Sequence, residues 1–373
     1  ITGAFRRHLE VIDQADWITS IPIADLAPFL KSQNFLIEEE KPDELLFSGP
    51  ENIKLKFQIV PPASFHLRVF ETSCSHAFLE NWNQQFKLNA AADSEEMIFQ
   101  QAGIHFIPTP LREDPALIEK ARLAPVPSVI QFSDVKAIIH SHSNWSDGLN
   151  TVEEMAKACI EQGYEYLVIS DHSKSAFYAN GLSEERIREQ HLYIDELNAR
   201  LAPFHIFKSI ECDILNDGRL DYSDQVLSTF DLVIASVHSN LKMSQEKAMS
   251  RLLTAIQNPH TRILGHPTGR LLLSRAGYPV DHQTLIEACA VHSVVIELNA
   301  HPRRLDMDWR WIDYALQKNV LISIDPDAHS IAGYHDIHYG VLAAQKGGVR
   351  PGDNLSSFTL QQMMEFVSQK RQA

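Results

Sequence analysis

Eighteen histidines stand in this chain of 373 residues, and fourteen of them follow position 137. They are not gathered in one tract. Several close short apolar runs: His140-Ser141-His142 after KAII, Asp171-His172 after YLVIS, Glu211 and Asp213 in SIECD, His238 in SVHS and His266 in GHPTGR. Asp327 and His329 follow in IDPDAHS, and Asp147 lies in NWSDG. A single histidine at such a place is usually a satisfied core or surface residue. Many of them in register are different, because buried imidazoles and carboxylates packed together without an ion carry a heavy desolvation and repulsion cost. Nitrogen and oxygen donors without thiolate suit Zn, Mn or Fe. Nine candidates (His140, His142, Asp147, His172, Glu211, His238, His266, Asp327 and His329) are too many for one ion. At roughly four protein ligands per zinc-like ion, with bridging carboxylates, they suffice for two or three divalent ions. Such clusters lower the pKa of water and clamp both oxygens of a phosphoryl displacement, so phosphoester hydrolysis is the expected reaction class.

The elements that must position these groups are legible as a rhythm. From about residue 136, apolar strand runs recur at 136–140, 166–170, 205–211, 231–238, 261–266, 293–299 and 320–325. Amphipathic stretches such as TVEEMAKACIEQG and QEKAMSRLLTAIQN separate most of them. Near-continuous apolar strands alternating with helices imply a parallel sheet covered by helices. A closed barrel fits best, because the C-terminal strand ends of such barrels converge on one face, where active sites sit. Residues two apart on a strand share a side, which pairs His140 with His142 and Asp327 with His329. Upstream, residues 1–132 are mixed: a strand-like run NIKLKFQIV (52–60), a helical stretch HAFLENWNQQFKLNAA (76–91), and a Pro-rich segment (108–130) that reads as a linker with one short helix. The acidic run IEEEKPDE (37–44) reads as a loop or helix end facing water.

Composition sets the outer bounds. With 44% hydrophobic and 22% charged residues the chain is a folded one. Its net charge of −15 sits uneasily with tight DNA binding, where Lys and Arg neutralise phosphates, although three divalent ions would bring six positive charges to the site. Four cysteines far apart, with no CxxC pair, point to reduced thiols and a cytoplasmic setting. No apolar run is long enough to span a membrane. The chain begins ITGAFRRH, without Met, and is expected to be part of something longer.

In order, HSHSNWSDG, ISDHS, the Glu of SIECDIL, ASVHS, GHPTGR and DPDAHS resemble the metal motifs of a PHP (polymerase and histidinol phosphatase) domain. The resemblance implies a distorted seven-stranded (β/α) barrel over 134–373 with a trinuclear site. The first ion would take His140, His142, Glu211 and Asp327, the set expected to carry catalysis. The second would share Glu211 and add His238 and His266, and the third would use Asp147, His172 and His329. One departure is Ile138, where many relatives carry Asp. Upstream, GAFRRHLEVIDQADWI, LKFQIVPPASF and PTPLRED resemble the palm of bacterial family-X DNA polymerases. A smaller α+β, nucleotidyltransferase-palm-like domain over 1–107 and a linker over 108–133 are therefore expected. The palm's metal-binding acids fall on Gln14, Asp16 and Lys56, so two of three are gone and nucleotidyl transfer is expected to be lost.

What the resemblance implies is a metal-dependent phosphoesterase acting on DNA 3′ ends, a 3′→5′ exonuclease or a related repair activity. A small-molecule phosphatase resembling histidinol phosphatase and a non-catalytic DNA-repair binding protein are the rivals. Arg270, four residues after His266, is a candidate phosphate contact because a guanidinium matches phosphate oxygens bidentately. Lys174 is a weaker one, and the pair Arg303-Arg304 could form a phosphodiester track.

Overall fold

In the computed structural model residues 1–87 and 92–369 are described. They divide into two compact units, Ile1–Ser128 and Val129–Ala373. No helix among the described residues is long and apolar enough to cross a membrane. The last residues of the helical stretch expected at 76–91 lie outside the described residues. What is described there is a helix over His76–Gln85, capped by the Ser75 hydroxyl.

The first unit holds a four-stranded sheet of β1 (Ala15–Thr19), β2 (Leu36–Lys41), β3 (Glu44–Ser48) and β4 (Lys54–Ile59), in the order β1-β4-β3-β2. β1 and β4 run parallel; the other pairs are antiparallel. The acidic run at 37–44 is not a loop: it forms most of β2, the hairpin turn and the start of β3. Its physical reason is position, since β2 is an edge strand and a row of carboxylates keeps an unpaired edge from recruiting another strand. Leu45, Phe47 and Phe57 bury one sheet face against Leu26, Ala27 and Leu30 of the helix Ile23–Ser32.

The segment expected as a linker also differs. Ile107, Thr109, Leu111, Arg112, Ile118 and Ala121 are all buried, and the segment belongs to the first unit as far as Ser128. Arg112 is the reason. Its guanidinium is fully buried, lies 5.0–5.5 Å from the rings of Phe70, Phe99 and Phe106, and pairs with Glu95 at 2.6 Å. Glu95 also binds Arg6. Proline content signals irregular backbone, but it does not reveal that a charged side chain is buried beside it.

The second unit is a barrel of seven parallel strands in sequence order: β5 (Ala137–Ile138), β6 (Tyr166–Ile169), β7 (His205–Asp213), β8 (Leu232–Ser236), β9 (Ile263–Leu264), β10 (Val295–Asn299) and β11 (Ile322–Asp325). Each expected strand run matches one of them, with β7 running two residues past its expected end. The runs are apolar without alternation because both faces are covered: β6, β8, β10 and β11 are buried at every residue. Helices such as Val152–Glu161, opened by a Thr151/Glu154 capping box, form the outer layer. Ile138 is core, fully buried. The cylinder closes by one bridge just beyond the strands, where Ser141 faces Ala328: His142 N–H donates to Ala328 O at 2.8 Å and Ala328 N–H to His140 O at 3.2 Å.

Burial alone would raise the Glu95 carboxyl, but the hydrogen bond from Arg6 and the charge of Arg112 outweigh it and hold it below the ordinary carboxylate range. Its stabilisation is therefore present above the unfolded pKa of about 4.3 and lost as pH falls through the lower folded value. Glu95→Gln strands a buried guanidinium and should cost the first unit about 3–5 kcal/mol. Faster hydrogen exchange in the helices Phe65–Thr72 and Glu95–Gln101 would report it; unchanged protection would refute it.

Candidate metal centre

Glu211, near the end of β7, is the centre of the site. It is fully buried, and its carboxylate lies within 3.5 Å of five imidazoles: His266 at 2.9 Å, His172 and His238 at 3.1 Å, His140 at 3.3 Å and His142 at 3.5 Å. Those side chains follow four different strands, β5, β6, β8 and β9, so the barrel's convergence supplies the cluster. Asp327 Oδ1 sits 3.1 Å from His142 Nε2, and Asp147 Oδ1 lies 3.5 Å from His329 and 3.8 Å from His172. All nine expected residues thus meet in one cup.

Three overlapping groups have donor atoms close enough to hold an ion. They are His140, His142, Glu211 and Asp327; His142, Asp147, His172 and His329; and His172, Glu211 and His238. The expected partition differs in detail. His142 joins the Asp147 group and His172 joins the His238 group, while His266 reaches Glu211 without completing a group of its own.

The spacing argument for His140 and His142 also needs correction. β5 ends at Ile138, and His140 has φ of 55°, not an extended conformation; Asp327 has φ of 52°. Two buried or half-buried ligands with Cβ in the left-handed region store about 1–3 kcal/mol each, strain that persists only where the surroundings impose it. The Ser141–Ala328 bridge between them imposes it here.

Around the ligands lies a further set of groups, of which Glu297 and Asn299 were not singled out in the sequence. Glu297, fully buried on β10, accepts His140 Nδ1–H at 2.5 Å, the His266 backbone N–H at 3.0 Å and Asn299 Nδ2 at 3.0 Å. Asn299 also donates to Asp327 Oδ2 at 3.1 Å. Asp213 accepts His238 Nδ1–H at 2.5 Å. Each bond fixes a tautomer and leaves Nε2 facing Glu211. Asp171, expected beside His172 as a candidate ligand, instead accepts five hydrogen bonds from Ser143, Ser146 and Gln190 and so pins the turn that carries Asp147. Gly148 completes that turn, for a Cβ there would lie 2.0 Å from the His142 carbonyl oxygen.

Two expected phosphate contacts have partners within the protein. Arg270 donates to Asp308 at 2.6 Å, to Arg304 O at 2.9 Å and to Leu305 O, so its fork braces the loop after β10. Lys174 faces Glu184 at 3.6 Å and the Tyr222 ring at 5.0 Å. The cation next to the cup is Arg304, whose Nε is 3.7 Å from Asp327.

Residues 139–301 match the PHP domain family. The barrel is a PHP domain. Over 274 residues, 74% of this chain, the sequence is 40% identical to the DNA polymerase/3'-5' exonuclease PolX of Bacillus subtilis, a match longer than the barrel unit alone. The chain covers 48% of that relative, about half its length. A probable phosphatase of Caldanaerobacter subterraneus is 27% identical over 43% of this chain and 60% of its own. The solved histidinol phosphate phosphatase of Lactococcus lactis superposes with a TM-score of 0.45 at 18% identity, over 58% of this chain and 95% of that one.

The PHP domain is a metal-dependent hydrolase, and its donor set here fits divalent ions. His140 Nε2, His142 Nδ1, His172 Nδ1, His266 Nδ1 and Glu211 Oε2 are buried and make no hydrogen bond. Burial opposes the charged forms throughout, yet Glu211 is held well below the usual carboxylate range by His238, His140 and His172. Against its burial, His238 is driven up to about 10 by Glu211 and Asp213, and His329 to about 9 by Asp147 and Asp327. Burial and the neighbouring His142 lower His172 to about 4.

Ions must therefore displace protons from His238 and His329 at neutral pH. Metal loading at pH 7 should release protons, seen as a calorimetric heat that scales with buffer ionisation enthalpy, and affinity should fall on acidification. Glu297→Gln weakens the bond that orients His140 and should lower metal affinity about 10–100-fold, measured as metal retained after dialysis. Unaltered retention would remove Glu297 from the site's support.

Proposed function

We propose that this chain is a metal-dependent phosphodiesterase that shortens DNA from its 3′ end. The observation that carries the reading is the cup itself: nine N- and O-donor residues, the buried Glu211 at their centre, in a chain 40% identical to a protein named DNA polymerase/3'-5' exonuclease. Two or three divalent ions, Zn, Mn or Fe, would be held by His140, His142, Asp147, His172, Glu211, His238, His266, Asp327 and His329. Bound there, they supply Lewis-acid activation of water and neutralise charge on a phosphoryl group.

The protein's own part is positioning. Glu211 faces every ligand group from the middle, Glu297 and Asp213 lock the rings of His140 and His238, and Asn299 orients Asp327. Arg304 adds a cation at the edge of the cup, where a phosphate entering from solvent meets a guanidinium. Ligands set at or just beyond strand ends, with Asp147 on a turn pinned by Asp171, give the reacting phosphate a fixed frame.

The first unit is proposed as a palm-like domain without nucleotidyl transfer. Asp16 on β1 and Lys56 on β4 are direct partners across the parallel pair. Gln14 donates to Asp16 at 2.8 Å, and Lys56 pairs with Glu44 at 2.8 Å. An ammonium group held beside the remaining acid repels the Mg ions that such transfer needs.

The deciving comparison is a Mn-dependent digestion of a 5′-labelled single strand beside histidinol phosphate. Wild type should give a ladder shortening from the 3′ end, and His140→Ala should lose more than the about 100-fold that removing an outer partner costs. Phosphate release from the small ester with no ladder would replace this reading with a phosphatase, the reading favoured by the relatives named probable phosphatase. Silence in both, with metal bound, would leave a binding protein.

A further inference from the structure

The two most exposed Phe, Tyr or Trp side chains among the described residues are consecutive. Phe177 is 88% exposed and Tyr178 73%, and both lie on one short turn over Phe177–Ala179. That turn follows the ligand His172 by a few residues, and the Tyr178 ring centroid is 6.2 Å from the His172 ring. Apolar rings scattered singly on a surface need no explanation. A pair at the mouth of a metal cup, one ring against a ligand, does.

The loop is also stiff. Leu182 N–H donates to His172 O at 2.8 Å, closing it at its base. Ser175 binds Asp221 through its backbone N–H at 2.6 Å and its hydroxyl at 2.5 Å. Asn180, at φ 54°, donates to Trp145 O at 3.3 Å and Ser146 O at 3.4 Å, while Arg186 donates to Asn180 O at 2.8 Å. Gly181 passes so near Ser173 O that a Cβ would lie 1.9 Å from it. A loop tied at this many points holds Tyr178 in place although most of the residue is exposed.

We propose that the Tyr178 ring is the platform on which the 3′-terminal base of a single strand stacks while its phosphodiester lies in the cup. This rests on the exonuclease reading above and names the ligand class, an unpaired nucleobase. A flat ring beside the metal ligands, with Arg304 as the nearby cation for the phosphate, provides the two contacts that non-sequence-specific strand binding uses. Successive side chains of a 3₁₀ turn point about 120° apart, so Tyr178 serves the cup and Phe177 faces away from it.

The test uses the full chain loaded with Mn, comparing wild type with Tyr178→Ala, Tyr178→Leu and Tyr178→Phe. Substrates are a single strand ending in 2-aminopurine nucleotide and the same strand ending in an abasic nucleotide. Stacking in the wild type should quench 2-aminopurine fluorescence on mixing, before cleavage. In Tyr178→Ala and Tyr178→Leu the quench should vanish and KM rise about 5- to 150-fold, with kcat changed far less. Tyr178→Phe should restore both, and on the abasic strand all four proteins should share one KM. A wild-type ladder with quench and KM indifferent to residue 178 would overturn the stacking platform and leave the exonuclease reading standing. Equal wild-type KM on the two strands would overturn it in the same way. No ladder from any protein, with metal bound, would overturn both.

Discussion

A carboxylate with no exposure to water, facing five imidazoles, is the constraint from which the barrel takes its form. Taking one charged group out of water costs several kcal/mol, and the partners that offset it for Glu211 are imidazoles. Their nitrogen donors come from four other strand ends. They converge only if the sheet curls until its first and last strands meet. The cluster is thus both the reason the cylinder closes and the result of its closing.

Once Glu211 is accepted, the surrounding acids follow. An imidazole with two free nitrogens can rotate or exchange tautomers, and either would break the arrangement around Glu211. Glu297 and Asp213 each take one nitrogen of a histidine, and Asp171 gathers five donors to hold the turn bearing Asp147. Two layers of carboxylate therefore share the site: an inner layer that faces the cup and an outer layer turned to the scaffold. Carboxylates on both sides raise the pKa of the His238 ring, and an ion that displaced its Nε2 proton would bring the compensating charge instead.

The inner layer was readable in the sequence because most of its members interrupt an apolar run at a similar place. A His or acid after KAII, LVIS, KSI or ILG changes the pattern abruptly, and the repetition marks a common face. Glu297 and Asn299 were missed because SVVIELN looks like a strand that simply ends. Their signal was an acid and an amide two residues apart in an otherwise apolar run, a spacing that places both on one side. The partners of Arg270 were hidden for another reason: its neighbour in sequence is a ligand, but Asp308 and the carbonyls of Arg304 and Leu305, which it binds, belong to a loop whose return onto it leaves no local trace. Arg112 repeats the lesson in the first unit, where a proline-rich stretch concealed a buried guanidinium. The pairing of Asp16 with Lys56, by contrast, needed only the register of two short strands.

The closing bridge carries a mechanical consequence. Six of the seven junctions between strands in the sheet are ladders, while the last is a single rung at Ser141 and Ala328, flanked by His140 and His142 on one side and Asp327 on the other. An ion shared by those three side chains would straddle the seam like a rivet, tying the two edges across the gap where backbone pairing is thinnest. The joint that is weakest as protein is the one that the site's own occupant would reinforce, so the protein's mechanical integrity and its readiness for chemistry are set at one place.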